Sequence, residues 1–301
     1  MMLFSVAEAK TVKVEMTAVE TQVNVEGEGA PYSAWTFNNQ FPGPVIRVQE
    51  GDTVDFTLTN SETNSRRHSM DFHAAEASFE THYRELEPGA SLQYQWKATH
   101  PGIFVYHCGA SPMIQHVARG MIGAIIVDPK NRKAMPKADR EYVLIQSELF
   151  EDPDDLQAMF DRKYKSVVFN GGIFRYDPVH GQGAPLEAKP GERVRFFFIN
   201  AGPNNFSAVH PIAEIWEDVW ESGNPANRLR GVQTHTIGPA GAAILDIVLE
   251  KGEGVYPIVT HSLTDALRGA IAILKVSKDA NKLPLLPFVE PGKPADSQPG
   301  K

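Results

Sequence analysis

Stretches of this chain return as variants of themselves, and that repetition limits the fold more than any other feature. GDTVDFTLTN from Gly51 comes back as GERVRFFFIN from Gly191, and each is followed within ten residues by a histidine, His68 and His210. PGIFVYHC ending at Cys108 comes back as GVYPIVTHS ending at Ser262, and MIGAIIV from Met121 as LRGAIAIL from Leu267. The offset stays between about 140 and 155 residues, so one unit is used twice. Position for position, His107-Cys108 becomes His261-Ser262. The second copy keeps the imidazole and lacks the thiol.

The unit is β. Helical periodicity is nearly absent, and short β-branched and aromatic runs are bounded by Gly, Pro, Asn and Asp, as in a sandwich or barrel. A chain of 301 residues accommodates two such domains. One helix is expected, from about Pro153 to Lys163, with Asp152 as its N-cap. The charged segment from Pro129 to Arg140 marks the junction. The division expected is an N-terminal extension 1–15, a first domain 16–135, a second domain 136–283 and a proline-rich tail 284–301. The opening MMLFSVAEA reads either as the stump of a secretory signal or as a plain chain start.

Composition removes several partners. The net charge is -8 and no run of Lys or Arg interrupts it, which argues against a nucleic acid or an anionic membrane surface. The longest apolar stretches are too short for a transmembrane segment. One cysteine, Cys108, excludes an intrachain disulfide and leaves a thiol that needs a reason.

Metal ligation supplies it. If His68-Ser-Met-Asp-Phe-His73 is a strand, period two puts His68 and His73 on opposite faces and Asp71 with His73. His107 and Cys108 are neighbours and also diverge. One face therefore offers His68 and Cys108, and the other Asp71, His73 and His107. Beyond Cys108 come His116 and Met121, in the spacing C-x7-H-x4-M. A thiolate, two imidazoles and a thioether are the ligands of an electron-transfer copper site. Met70 and Met113 are rival thioethers, and Met121 has the better spacing. The opposite face lacks a third imidazole, and His261, the repeat-equivalent of His107, is the natural candidate. Three imidazoles leave an open coordination position for substrate.

At these residues the sequence resembles the copper-containing nitrite reductases. HSMDFHAA from His68, YHCGASPMIQHVARGM from Tyr106, FSAVHPIAEI from Phe206 and VTHSLTDALRG from Val259 follow the family's motifs in the family's order, across roughly residues 20 to 280. The resemblance implies an all-β chain of two tandem cupredoxin-like Greek-key sandwich or barrel domains. It implies two coppers per chain, a type 1 copper on His68, Cys108, His116 and Met121 and a type 2 copper on His73, His107 and His261. Asp71 and His210 match the family's catalytic pair, and Ile212 the apolar residue that crowds the substrate. A threonine at 234 or 236 supports the histidine. The gap of seven residues between Cys108 and His116 is like the branch with the shorter ligand loop, as is apolar Ile215. AEASFETHYRELEPG from Ala75 replaces a glycine-rich stretch common after DFHAA, so the shape of the substrate channel is expected to differ.

The implied activity is one-electron reduction of nitrite to nitric oxide, with electrons passing from a soluble cupredoxin or c-type cytochrome through type 1 to type 2 copper. The implied assembly is a homotrimer with type 2 copper at subunit interfaces, in the periplasm or otherwise exported. Two rivals stand beside it. A laccase-like two-domain multicopper oxidase builds its cluster from H-x-H pairs, and this chain contains none. A plain cupredoxin electron carrier needs neither Asp71 nor His210. His82, His100, His180 and His235 match nothing and are read as surface or loop residues.

Overall fold

The computed structural model describes residues 9–25, 31–181 and 183–281. The tail 284–301 and all but the last residue of the candidate signal stump lie outside them. The first half contributes β1 (Thr11–Val23), β2 (Tyr32–Phe37), β3 (Ile46–Gln49), β4 (Thr53–Asn60), β5 (Asp71–Phe72), the short helix α1 (Phe79–His82), β6 (Ser91–Lys97), β7 (Gly102–His107), α2 (Met113–Ala118) and β8 (Ile122–Asp128). The second half contributes β9 (Arg140–Leu149), α3 (Leu156–Phe160), β10 (Ser166–Phe169), β11 (Leu186–Ala188), β12 (Arg193–Gly202), β13 (Ser207–Pro211), β14 (Trp216–Glu221), β15 (Arg228–Val232), β16 (His235–Ile237), β17 (Ala242–Val248), β18 (Gly254–Thr260), α4 (Leu263–Ala266) and β19 (Ile271–Val276).

These strands form four sheets, in the orders β2-β1-β4-β6, β3-β8-β7-β5, β10-β9-β12-β17-β14-β15 and β11-β19-β18-β13-β16. The sequence repeat is a repeat of pairing. β1 runs parallel to β4 as β9 does to β12. β3 runs parallel to β8 as β11 does to β19. The antiparallel ribbons β5-β7-β8 and β13-β18-β19 correspond in the same way. The architecture is two β-sandwiches from one duplicated unit.

Alternation fixes the first core. In β4 every second side chain is buried, so Val54, Phe56 and Leu58 face inward and Thr53, Asp55 and Thr57 outward. They pack with Val14, Phe72, Tyr106 and Cys108 between the first pair of sheets. Phe196, Phe198, Trp216 and Leu245 fill the equivalent space in the second. A third apolar layer joins the sandwiches: Val105, Ile122 and Ile126 pack against Ile145, Phe197, Trp220 and Ile244. This is why β8, β9 and β12 are buried along nearly their whole length. β7 lies between two layers, with Tyr106 and Cys108 toward the first core and Ile103 and Val105 toward the junction. Gly123 permits this packing, since an added Cβ would fall 2.1 Å from Tyr106 Cζ. The Tyr106 hydroxyl donates to the Pro44 carbonyl at 2.6 Å.

Two expectations are corrected. The helix begins at Leu156, and its N-cap is Asp155, whose side chain accepts the Ala158 N–H at 2.8 Å. Asp152 instead closes the turn before it by accepting the Asp154 N–H. His235 is no loop residue. It lies half-buried in β16, opposite Val209, and burial lowers its pKa. Among the described residues no helix is long and apolar enough to cross a membrane.

Candidate metal centres

The strand reading of residues 68–73 is only partly right, because regular strand is confined to Asp71 and Phe72. His68 is fixed by an isolated bridge, donating its N–H to the Leu86 carbonyl and accepting from the Leu86 N–H at 2.8 Å. The Ala75–Gly89 segment therefore also clamps a ligand of the type 1 pocket, beyond any part in the channel.

His68, Cys108 and His116 converge in a fully enclosed pocket. Cys108 Sγ lies 3.2 Å from His116 Nδ1 and 4.0 Å from His68 Nδ1, and the two Nδ1 atoms are 3.3 Å apart. Around one tetrahedral metal with bonds as long as those of zinc, two nitrogens sit ~3.3 Å apart and a sulfur ~3.5 Å from each. The donors present fit a single cation. Cys108 leaves the end of β7, and His116 is carried by α2, a helix too short to register in the periodicity. Met121 closes the loop: its carbonyl accepts the Cys108 N–H and its N–H donates to the His116 carbonyl, and the residue is fully buried. These four residues are the donor set that suits a type 1 copper.

Burial sets the electrostatics. It lowers the His116 pKa to about 3 and the His68 pKa to about 4, so both rings are neutral at pH 7 with lone pairs free for a metal. Burial pushes the Cys108 thiol up to about 11, against the pull of N–H groups from Ser69 and Ala110. A bound cation removes that proton outright. The Ser69 N–H lies 3.2 Å from Sγ, and its hydroxyl accepts the Gly109 N–H, so Ser69 braces the sulfur from behind. Trp35 packs against both rings, its centroid 4.6 Å from His116 and 5.6 Å from His68, with the Arg119 guanidinium over its face. Neither Ser69 nor Trp35 stood out in the sequence, where each is an ordinary strand-type or turn residue.

On the other side of the same peptide link, Asp71, His73 and His107 form a second cluster. His73 Nε2 and His107 Nε2 are 3.0 Å apart, and Asp71 Oδ2 lies 3.8 Å from His107 Nε2. His107 Nδ1 donates to the Cys108 carbonyl at 3.0 Å, which leaves Nε2 as the lone-pair nitrogen facing the cluster. His73 keeps an exposed edge, so this side stays open, while partial desolvation of its ring by the surrounding atoms and then the neighbouring His107 lower its pKa. The geometry fits a type 2 copper held in part by these residues.

His210 and His261 form a separate pair, with ring centroids 5.5 Å apart. No cluster of three ligand groups among the described residues includes either of them. His210 Nδ1 donates to the Gln233 carbonyl at 2.6 Å and lies 3.4 Å from Thr234 Oγ1. Thr236 is instead paired with Ala208 in the sheet. The threonine beside His210 is therefore Thr234, and Gln233, unremarked in the sequence, holds the ring more closely. Ile212 and Ile215 are both part-exposed at the surface nearby.

Known proteins agree with this geometry. A family model described as Multicopper oxidase matches residues 18–132. A copper-containing nitrite reductase of Neisseria meningitidis serogroup B is 35% identical over 288 residues, spanning 90% of this chain and 70% of that protein. The solved copper nitrite reductase of Nitrosomonas europaea is 53% identical with a TM-score of 0.89, covering 90% of this chain and 95% of that one. The Cu-containing nitrite reductase of Thermus scotoductus is 31% identical with a TM-score of 0.83, over 95% of this chain and 67% of that one. The sandwiches are thus cupredoxin-like domains, and a match of this depth over both of them means that the chain belongs to the copper-containing nitrite reductase family.

Proposed function

We propose that this chain reduces nitrite by NO2⁻ + e⁻ + 2H⁺ → NO + H2O, at a centre to which two chains contribute. One observation carries the reading: two ligand clusters of different character are joined by the His107-Cys108 peptide link. Copper at the two clusters supplies single electrons and a Lewis-acidic point of attachment. The chain's own residues do the rest. Cys108 and His107 give the electron a covalent path of two adjacent residues. Asp71 lies on the open side of the second cluster, within reach to bind a nitrite oxygen and deliver a proton. His210, its ring fixed by Gln233 and Thr234, is the second proton relay. Ile212 limits how nitrite can lie.

His261 completes the imidazole set from a neighbouring chain, and His210 comes with it. In support, His73 and His107 lack a third imidazole in their own cluster, and His261 lies outside it. Two ligands at one end of a chain and one at the other make a head-to-tail contact, which closes into a ring, here of three chains. The division that goes with this reading is a first domain over 16–135 and a second over 136–283, with the shorter ligand loop of one family branch. The donor is a soluble cupredoxin or c-type cytochrome, and the protein works in the periplasm or otherwise exported.

Anaerobic turnover with a reduced artificial donor tests the function. The expected result is one nitric oxide per electron consumed, with two coppers per chain. Oxygen reduction to water with four coppers per chain would instead identify an oxidase.

A further inference from the structure

We propose that Glu20 is a positioning residue of the type 1 centre, a carboxylate fixed against the outer nitrogen of His68 that lowers the centre's reduction potential. The proposal rests on the copper reading of the His68–Cys108–His116 cluster and adds to it a residue 48 positions upstream of His68, on β1.

The tautomer of His68 comes first. Its Nδ1 faces the other two ligands. A neutral imidazole that gives Nδ1 to a metal carries its one proton on Nε2. That Nε2 is buried and makes no hydrogen bond of good geometry, yet Glu20 Oε1 lies 3.5 Å away. A buried N–H left without an acceptor is costly, and a metal-bound histidine ordinarily donates its second N–H to a carboxylate or carbonyl.

Glu20 is not a swinging surface acid. Oε1 accepts the Ser65 N–H at 2.9 Å and the Arg66 N–H at 2.8 Å, and Oε2 accepts the Ser65 hydroxyl at 2.8 Å. Its side chain is only 21% exposed. Three bonds from the segment leading into His68 thus hold the carboxylate beside the ring.

The consequence follows from charge. Cu(II) + e⁻ → Cu(I) removes one positive charge and takes up no proton. A fixed negative charge one imidazole away stabilises Cu(II) more than Cu(I). Polarisation of the Nε2–H by a carboxylate 3.5 Å away also makes the ring a stronger ligand, which favours the same state.

The test is Glu20→Gln, which keeps a carbonyl acceptor for Ser65 and Arg66 and removes the charge. The potential is read by spectroelectrochemical titration of the thiolate-to-copper band. The expected result is a retained band with the equilibrium moved about tenfold toward Cu(I), equivalent to about 59 mV upward for one electron. A retained band with a wild-type potential overturns the proposal and leaves Glu20 as a loop tie. Should Glu20→Gln not fold, Glu20→Asp keeps the charge but draws it back by one methylene. It is expected to raise the potential by less, and an unchanged value overturns the proposal equally. Absence of the band from the wild-type protein would sink the copper reading itself, a separate failure.

Discussion

Replacing Asp71 by asparagine separates catalysis from structure more cleanly than any other change. The two side chains have the same shape, and the Asp71–His107 strand pairing is made by backbone and survives. The side chain is 30% exposed, and its contact with His107 Nε2 is 3.8 Å, too long for a hydrogen bond. With the His107 proton on Nδ1, that contact is neither an ion pair nor a hydrogen bond, so losing the carboxylate's charge there costs little stability. The structural effect is therefore small, and both coppers should remain. The catalytic effect is large: losing a general acid costs about 10²–10⁴ in rate, or about 2.7–5.5 kcal/mol in the barrier. The assay is anaerobic nitric oxide formation with a reduced artificial donor, normalised to copper content and run beside His210→Ala. The expected outcome is a collapse of kcat in both variants with copper retained. An Asp71→Asn protein holding both coppers and turning over within about threefold of wild type would refute the proton-delivery argument.

Cys108→Ala should abolish the intense visible absorption while the second copper stays bound, because the chain's one thiol is the only thiolate available. A coloured variant would overturn the type 1 assignment. In the copper-free protein, acid should be destabilising through His116. Its folded pKa of about 3 lies below its unfolded value of 6.5, so its contribution is complete above pH 6.5 and is lost as pH falls toward 3. The slope is about 1.4 kcal/mol per pH unit for that proton, read as the difference between copper-free wild type and His116→Gln in denaturant titrations at pH 7 and 5. Equal slopes would show that the ring titrates freely.

What the sequence made legible was local in sequence or repeated. The C-x7-H-x4-M spacing brings three ligands into one loop, and period two separated His107 from Cys108 because β7 is regular strand. The duplicated unit was visible because each copy must bury the same inner face, Val54, Phe56 and Leu58 in β4 and Val194, Phe196 and Phe198 in β12. Less could be read where partners come from elsewhere in the chain. β9 and β12 are buried on both sides, and continuous apolar runs do not say that the second side meets Ile122 and Ile126. The brace on His68 comes from Leu86, inside a segment with no recognisable motif. Thr234 could not be told from Thr236 until the register of β13 with β16 put Thr236 in the ladder. Asp218 and Asp246, fully buried among Arg193, Arg195 and Arg228, belong to no motif or spacing that the sequence displays. Such networks are invisible until the sheet brings their members together.

Nitrite reduction at a centre shared by two chains is tested most directly by mixing. A His73→Ala protein and a His261→Ala protein, each inactive alone, are dissociated, combined and reassembled. In mixed rings some interfaces receive His73 and His107 from one chain and His261 from the next, and nitrite turnover should partly return together with type 2 copper. If no mixture ever recovers activity, or if sedimentation finds an active, copper-loaded monomer, the shared centre is wrong.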